Sequence, residues 1–190
     1  MAMNRRDLLI ASGGALTAAM AGRALAQEAQ GQPMMGNPTL PLPPEQRMGW
    51  AVVGLGSFAV GQLMPAFGDA NRSRLTALVS GNPEKLARLA DTYGVEHTYS
   101  YDDYDSIIDN PDIDCVQIAL PVGLHAEYTI RALEAGKHVL CEKPMASTSA
   151  ECEAMIAAAR KAGKALGVGY RVHFEPTNRA ALSMITGGEI

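Results

Sequence analysis

Gly54-Leu55-Gly56-Ser57-Phe58-Ala59 is a GxGxxA sequence that directly follows an apolar run, Gly49-Trp50-Ala51-Val52-Val53, and opens a stretch of helical character. In that setting the spacing has a chemical meaning. The first glycine permits a tight turn, the second lets the main chain approach a pyrophosphate, and the small third residue allows helix and strand to pack closely. Gly54, Gly56, Ser57 and Phe58 are therefore expected to hold a dinucleotide, with the amides around Ser57 and Phe58 at a helix N-terminus turned toward the anion. Without its strand and helix the same pattern would be no more than a turn.

Two further groups extend this reading. A site for NAD places Asp or Glu about 20 residues beyond the glycines to hold the ribose 2′-hydroxyl, where this chain has Ser80-Gly81-Asn82. A hydroxyl, a glycine amide and the next helix start, with Lys85 one turn in, make a seat for a 2′-phosphate. NADP is expected in preference to NAD, with Arg72 and Arg74 as less direct neutralising groups. Glu142-Lys143-Pro144 closes another apolar run. An ammonium at the carboxyl end of a parallel strand stands in the ligand crevice, where a proton-transfer group is needed. Lys143 is thus the catalytic candidate, and Glu142 either supports the cofactor side of the site or has a structural role. His125, near a helix start, lies beside the cofactor or in the packing, whereas His138, inside a strand, reads as core. Arg171, flanked by Tyr170 and followed by His173 after the last strand, is a candidate for cofactor or substrate contact.

The elements that position these groups alternate regularly. Strand candidates are 49–54, 75–80, 96–99, 113–120, 137–141 and 165–169. Between them, Leu86, Leu89, Ala90 and Tyr93 recur at helical spacing, as do Ala126, Thr129, Ile130 and Leu133, and Met155, Ala158, Ala159 and Ala162. Asn82-Pro83-Glu84 is a helix start with a capping side chain, a proline at the first position and an acid on the positive end of the dipole. Gly94, Gly136 and Gly163 close helical stretches. Continuous apolar strands separated by helices imply an α/β fold, a doubly wound parallel sheet of Rossmann type covered on both faces.

Composition narrows the function classes. Hydrophobic residues make up 47% of the chain, ordinary for a globular protein, and a net charge of −4 with pI near 5.5 excludes the basic face of a nucleic-acid binder. Cys115, Cys141 and Cys152 form no CxxC pair, against structural zinc or thioredoxin-like chemistry, and no metal is expected. Arg5-Arg6 precede a short, weakly apolar stretch, and Ala24-Leu25-Ala26 resembles a cleavage site. This is the pattern of a twin-arginine export signal, too short and polar for a membrane span. It implies a periplasmic protein exported already folded, with no membrane attachment after cleavage. Pro33, Pro38, Pro41, Pro43 and Pro44 make residues 27–48 an extended arm, either a linker or a strap across another subunit. The expected organisation is a signal peptide at 1–26, this arm at 27–48, an NAD(P)-binding Rossmann domain at 49–170, and the start of a truncated substrate domain at 171–190.

Ala119-Leu120-Pro121-Val122-Gly123-Leu124-His125-Ala126-Glu127, together with Ala135-Gly136-Lys137-His138-Val139-Leu140-Cys141-Glu142-Lys143-Pro144, resembles the Gfo/Idh/MocA family of two-domain sugar and polyol dehydrogenases. The likeness is nearer to its periplasmic glucose–fructose oxidoreductase branch, through VGLGSFA, LVSGNPEK, LHAEYTIRALEAGKHVLCEKPMA, GYRVHFEPTNRAA, the leader and the arm. The resemblance implies that Lys143 stands beside the nicotinamide and orients or deprotonates a sugar hydroxyl during hydride transfer. It also implies that Leu120, Pro121 and His125 line the cofactor. Val122 departs from the Asn or Trp that many members carry there. Members continue for about as long again with an α/β domain that roofs the sugar site, mediates oligomerisation and supplies further catalytic residues. That second domain is expected to be largely absent here, and a homo-oligomer is expected of the full-length form.

Three functions follow. The first is the nucleotide-binding half of an NADP-dependent oxidoreductase acting on sugars or polyols. The second is a non-catalytic nucleotide-binding remnant. The third is a relative of the exported NAD-dependent glycoside hydrolases, against which the serine-based 2′-phosphate seat counts.

Overall fold

A computed structural model describes residues 41–189. The leader at 1–26 and most of the arm lie outside the described residues. The end of the arm is tied to the sheet: Leu42 donates its amide to Asn71 O at 2.9 Å, and Met48 donates to Arg72 O at 2.9 Å. Contrary to a wholly extended reading, Pro44–Gln46 forms one 3-10 turn, since proline at its first position already carries a helical φ.

The chain then runs β1 (Met48–Val53), a short helix α1 (a π turn, Ala59–Leu63, continuing as Met64–Ala66), β2 (Ser73–Val79), α2 (Pro83–Tyr93) and β3 (His97–Tyr99). A 3-10 helix at Tyr104–Asp109 leads to β4 (Cys115–Ile118), α3 (His125–Glu134), β5 (His138–Cys141), α4 (Ser149–Ala162) and β6 (Leu166–Val168). A further 3-10 turn, Arg171–His173, precedes α5 (Pro176–Gly187). All strand pairs are parallel, in the order β3-β2-β1-β4-β5-β6. This is the doubly wound Rossmann order, whose reversal between β1 and β4 opens a ligand crevice at the strands' carboxyl ends.

The apolar strands are continuous because both faces are buried. Ala51, Val53, Ala77, Val79, Val116 and Ile118 pack with Tyr128, Ala132, Leu133 and Met155 of α3 and α4. Val52 and Leu78 point the other way, against Ala59 and Met64 of α1 and Leu86 and Leu89 of α2. Beyond α1, that second face carries a groove of about 220 Å³ whose lining includes Trp50, Phe67, Gln117 and Leu140. The helix starts are built as their sequences dictate. Asn82 Oδ1 accepts from the Lys85 amide at 2.9 Å, with Pro83 in the first position. Thr148 and Glu151 form a reciprocal capping box at the start of α4.

Candidate functional site

The ladder bonds run one step past the strands and so align the loop heads at the carboxyl edge. Gly54 donates to Val79 O (3.1 Å), Ser80 to Tyr99 O (3.1 Å), Ala119 to Val53 O (2.8 Å), Glu142 to Ile118 O (3.0 Å) and Gly169 to Cys141 O (2.8 Å). Ser80, Gly54, Ala119, Glu142 and Gly169 thereby form a row across the sheet, and the sequence-predicted site residues hang from it.

Gly54 turns the chain with φ +91°, and a Cβ there would lie 2.7 Å from Ala119 O and 2.8 Å from Leu120 Cδ2. Only glycine fits, because that backbone disfavours any side chain and β4's exit loop fills the space. Gly56 differs. Its φ is not left-handed and nothing lies within 4 Å of a Cβ built on it. Neither conformation nor packing calls for glycine at 56; what it secures is open approach to the main chain, the requirement of a pyrophosphate at a helix start. Gly56 and Ser57 are exposed, whereas Ala59 is buried against the sheet.

Beside this turn the end of β2 is drawn in. Lys85 extends its ammonium to Leu55 O at 3.3 Å, bridging α2 to the glycine turn. Ser80 is buried, its hydroxyl accepting from the Asn82 amide at 3.2 Å, while its own hydrogen remains to be donated. The Tyr101 ring lies 3.0 Å from where a Gly81 Cβ would stand. Ser80, Gly81 and Lys85 are thus one cluster. From beyond β6, Arg171 stacks its guanidinium 4.7 Å from the centre of the Phe58 ring, bringing a second cation to the glycine turn.

At the β4 and β5 ends, Leu120 is buried and Pro121 exposed. Lys143 is exposed at the edge, joined to Pro144 by a cis peptide bond. The Glu142 carboxylate is buried and accepts from Gln117 Nε2 at 3.4 Å. A Cβ on Gly169 would lie 3.0 Å from Glu142 Oε1, so the glycine leaves this carboxylate its space. His125 is buried beneath both loops, with Nδ1 2.9 Å from Pro144 O and Nε2 2.8 Å from Leu120 O. Its ring nitrogens meet the main chain and act on the crevice through the loops they hold. His138 is half-buried, and its Nδ1 accepts from the Ala165 amide at 3.0 Å.

Gln117 and Gly169 are the residues the sequence reading passes over. Gln117 carries a signal, a lone amide inside the apolar run Ile113–Leu120; Gly169 carries none, since its neighbour is fixed only by the β5–β6 pairing. Among the described residues no group of three or more His, Cys, Asp or Glu is placed to hold a metal ion, and no helix is long and apolar enough to cross a membrane.

A family model described as an oxidoreductase family with an NAD-binding Rossmann fold matches residues 48–170. The chain is similar to an aldose–aldose oxidoreductase from Caulobacter crescentus, solved with glycerol. The two share 51% identity with a TM-score of 0.73, covering 75% of this chain and 43% of that one. It is also similar to KijD10, a 3-ketoreductase from Actinomadura kijaniata solved with TDP-benzene and NADP, at 30% identity and TM-score 0.69 over 76% of this chain and 45% of that one. D-xylose 1-dehydrogenase [NADP(+)] of Haloarcula marismortui is 35% identical over 74% of this chain and 39% of its own length. The chain spans about two fifths of the length of the curated relatives it matches.

Proposed function

We propose, for a chain that belongs to the Gfo/Idh/MocA oxidoreductase family, that it is the dinucleotide-binding half of an NADP-dependent oxidoreductase acting on sugars or polyols, of the glucose–fructose oxidoreductase kind. The observation that carries this reading is the Lys85 ammonium bridged to Leu55 O at 3.3 Å beside the buried Ser80 hydroxyl, with no carboxylate at the end of β2. A 2′-phosphate meets a cation, a hydroxyl and glycine amides there; a bare ribose diol meets no acceptor of the kind NAD sites offer.

The residues at the strand ends fit the group. Gly54, Gly56, Ser57 and Phe58 would hold its pyrophosphate, Ser80, Gly81 and Lys85 its 2′-phosphate, and Leu120, Pro121, Glu142 and Lys143 its nicotinamide end. Arg171 adds positive charge above Phe58. When bound, the nicotinamide supplies the hydride acceptor or donor. The chain's own contribution to the chemistry is Lys143, whose Nζ orients the reacting hydroxyl and moves its proton, while Glu142, buried and held by Gln117, fixes the loop from which Lys143 projects. In the full-length protein we infer a homo-oligomer, and from the Arg5-Arg6 leader export to the periplasm by the twin-arginine route.

The test is to denature the purified chain, identify any released nucleotide by absorbance and mass, and titrate the emptied, refolded chain with NADP and NAD. NADP is expected to bind more tightly, and Lys85→Ala to weaken NADP by about tenfold or more while moving NAD little. Tighter binding of NAD than NADP by the native chain overturns the assignment.

A further inference from the structure

We propose that His125 is a positioning residue that fastens the two loops of the nicotinamide side to each other by donating both of its ring N–H groups. One goes to the carbonyl that ends the β4 loop's first step, Leu120 O at 2.8 Å, and the other to Pro144 O at 2.9 Å, directly after Lys143. The inference rests on the cofactor reading above for what the loops hold, but the tie itself is read from the ring's surroundings.

Both contacts are to carbonyl oxygens, which only accept. A neutral imidazole has one N–H and one lone pair, so it satisfies one carbonyl and sets its lone pair against the other; the doubly protonated ring donates to both. The site is almost closed to water, His125 being 2% exposed, so no solvent molecule readily takes the place of a missing donor, and an unmet buried carbonyl is costly. The ionisable groups on the joined elements are Glu127 and Arg131 of α3, paired with each other at 3.1 Å, Tyr128 and Glu134 of the same helix, His138 and Cys141 of β5, and Glu142 and Lys143 beyond it. Neither ring nitrogen is hydrogen-bonded to any of them.

The geometry makes the ring a cross-piece. Leu120 precedes Pro121 in the loop expected to face the cofactor, and its side chain lies under the Gly54 turn. Pro144 follows Lys143. One side chain from the first position of α3 therefore sets the spacing between a cofactor-facing loop and the catalytic lysine.

Two measurements on the purified chain test this. The first is a long-range ¹H–¹⁵N correlation spectrum of the histidine rings at neutral pH, with the His125 signals identified by their loss in His125→Asn. Two protonated nitrogens are expected; one bare, pyridine-type nitrogen at His125 overturns the proposal, because a ring that merely fills the core has that signature. The second is nucleotide titration. His125→Asn, with one short amide in place of two ring donors, is expected to keep the native far-ultraviolet spectrum and to bind NADP about tenfold more weakly. His97→Asn, at the amino end of the sheet, is expected to stay within about twofold of the native chain, inside ordinary surface effects. A folded His125→Asn chain with native affinity also overturns the proposal, and if that variant does not fold, the native ring spectrum decides, with the His125 signals identified by elimination using His97→Asn, His138→Asn and His173→Asn. A native chain that binds neither nucleotide removes the cofactor reading instead, and the two-donor signature still judges the tie by itself.

Discussion

Two glycines two positions apart do different work, and the difference is measurable. Gly54 is demanded by the protein: φ is +91° and a methyl would meet Ala119 O at 2.7 Å. Gly54→Ala is expected to lower stability by at least about 2 kcal/mol, from left-handed strain and overpacking together, read as a fall in the urea midpoint. Gly56 is demanded by nothing within 4 Å of it, so Gly56→Ala is expected to leave that midpoint unchanged and to weaken NADP by about tenfold or more, since the methyl stands between main chain and pyrophosphate. If Gly56→Ala binds NADP as the native chain does, this turn is not where the phosphates lie. Both glycines are legible in the sequence as a motif, but which serves the fold and which serves the ligand is not. That division depends on Ala119 and Leu120, brought against Gly54 only by the β1–β4 pairing.

At the scale of elements, the strands and helices are legible because each obeys a local rule, while their ends are not. The fourth strand reads as 113–120 from its apolar run, yet β4 ends at Ile118, because the Leu120 carbonyl leaves the ladder to meet His125 Nε2. The stretch after the glycines reads simply as helical, yet after an α-helical start at Ser57 and Phe58 it widens into a π turn in which the Met64 amide reaches Ala59 O. His125 itself shows the limit: its two partners are set by where two strands stop, which no spacing within α3 records. The loop carrying Lys143 is pinned at its far end by the α4 capping box, where Glu151 Oε2 accepts from the amides of Ser147 (3.0 Å) and Thr148 (2.9 Å), and Thr148 Oγ1 accepts from Glu151 N (3.2 Å). Thr148→Ala removes one half of the box. It is expected to cost about 1 kcal/mol and to lower Tm by about 2–4 °C for a chain of this size; an unchanged Tm would mean that packing against the sheet alone sets the start of α4.

For the molecule as a whole, the sheet's two buried faces govern how it responds to alkali. Cys115 and Cys141 sit in the core between β4, β5 and the α3–α4 layer, and burial pushes each thiol up to about 11. Within those values Asp114 adds to the effect of burial at Cys115 while Lys164 opposes it, and at Cys141 the Thr129 hydroxyl opposes burial while Glu142 adds to it. In the unfolded chain both ionise near 9.0. Between those values the unfolded chain has released protons that the folded chain still holds, so the unfolded state binds fewer protons and stability falls as pH rises. The stability conferred by the neutral buried thiols is complete below about pH 9 and is lost progressively up to about pH 11. Lys137 works in the opposite sense over the same range. Its amine is held below the usual lysine value by burial while it donates to Asn110 O at 2.8 Å, so its penalty on folding fades as pH rises toward 10.5. A Cys115→Ala/Cys141→Ala chain is therefore expected to lose less stability than the native chain between pH 9 and 10.5 in urea titrations, even where its stability at pH 7 is lower from the lost volume. The same burial predicts the thiol chemistry. Of the three cysteines only Cys152 is partly exposed, so at pH 8 an aromatic disulfide reagent is expected to titrate one thiol quickly in the folded chain and all three after unfolding. Rapid reaction of Cys141 in the folded chain would show that the end of β5, and with it the loop carrying Glu142 and Lys143, opens to solvent far more readily than its packing implies.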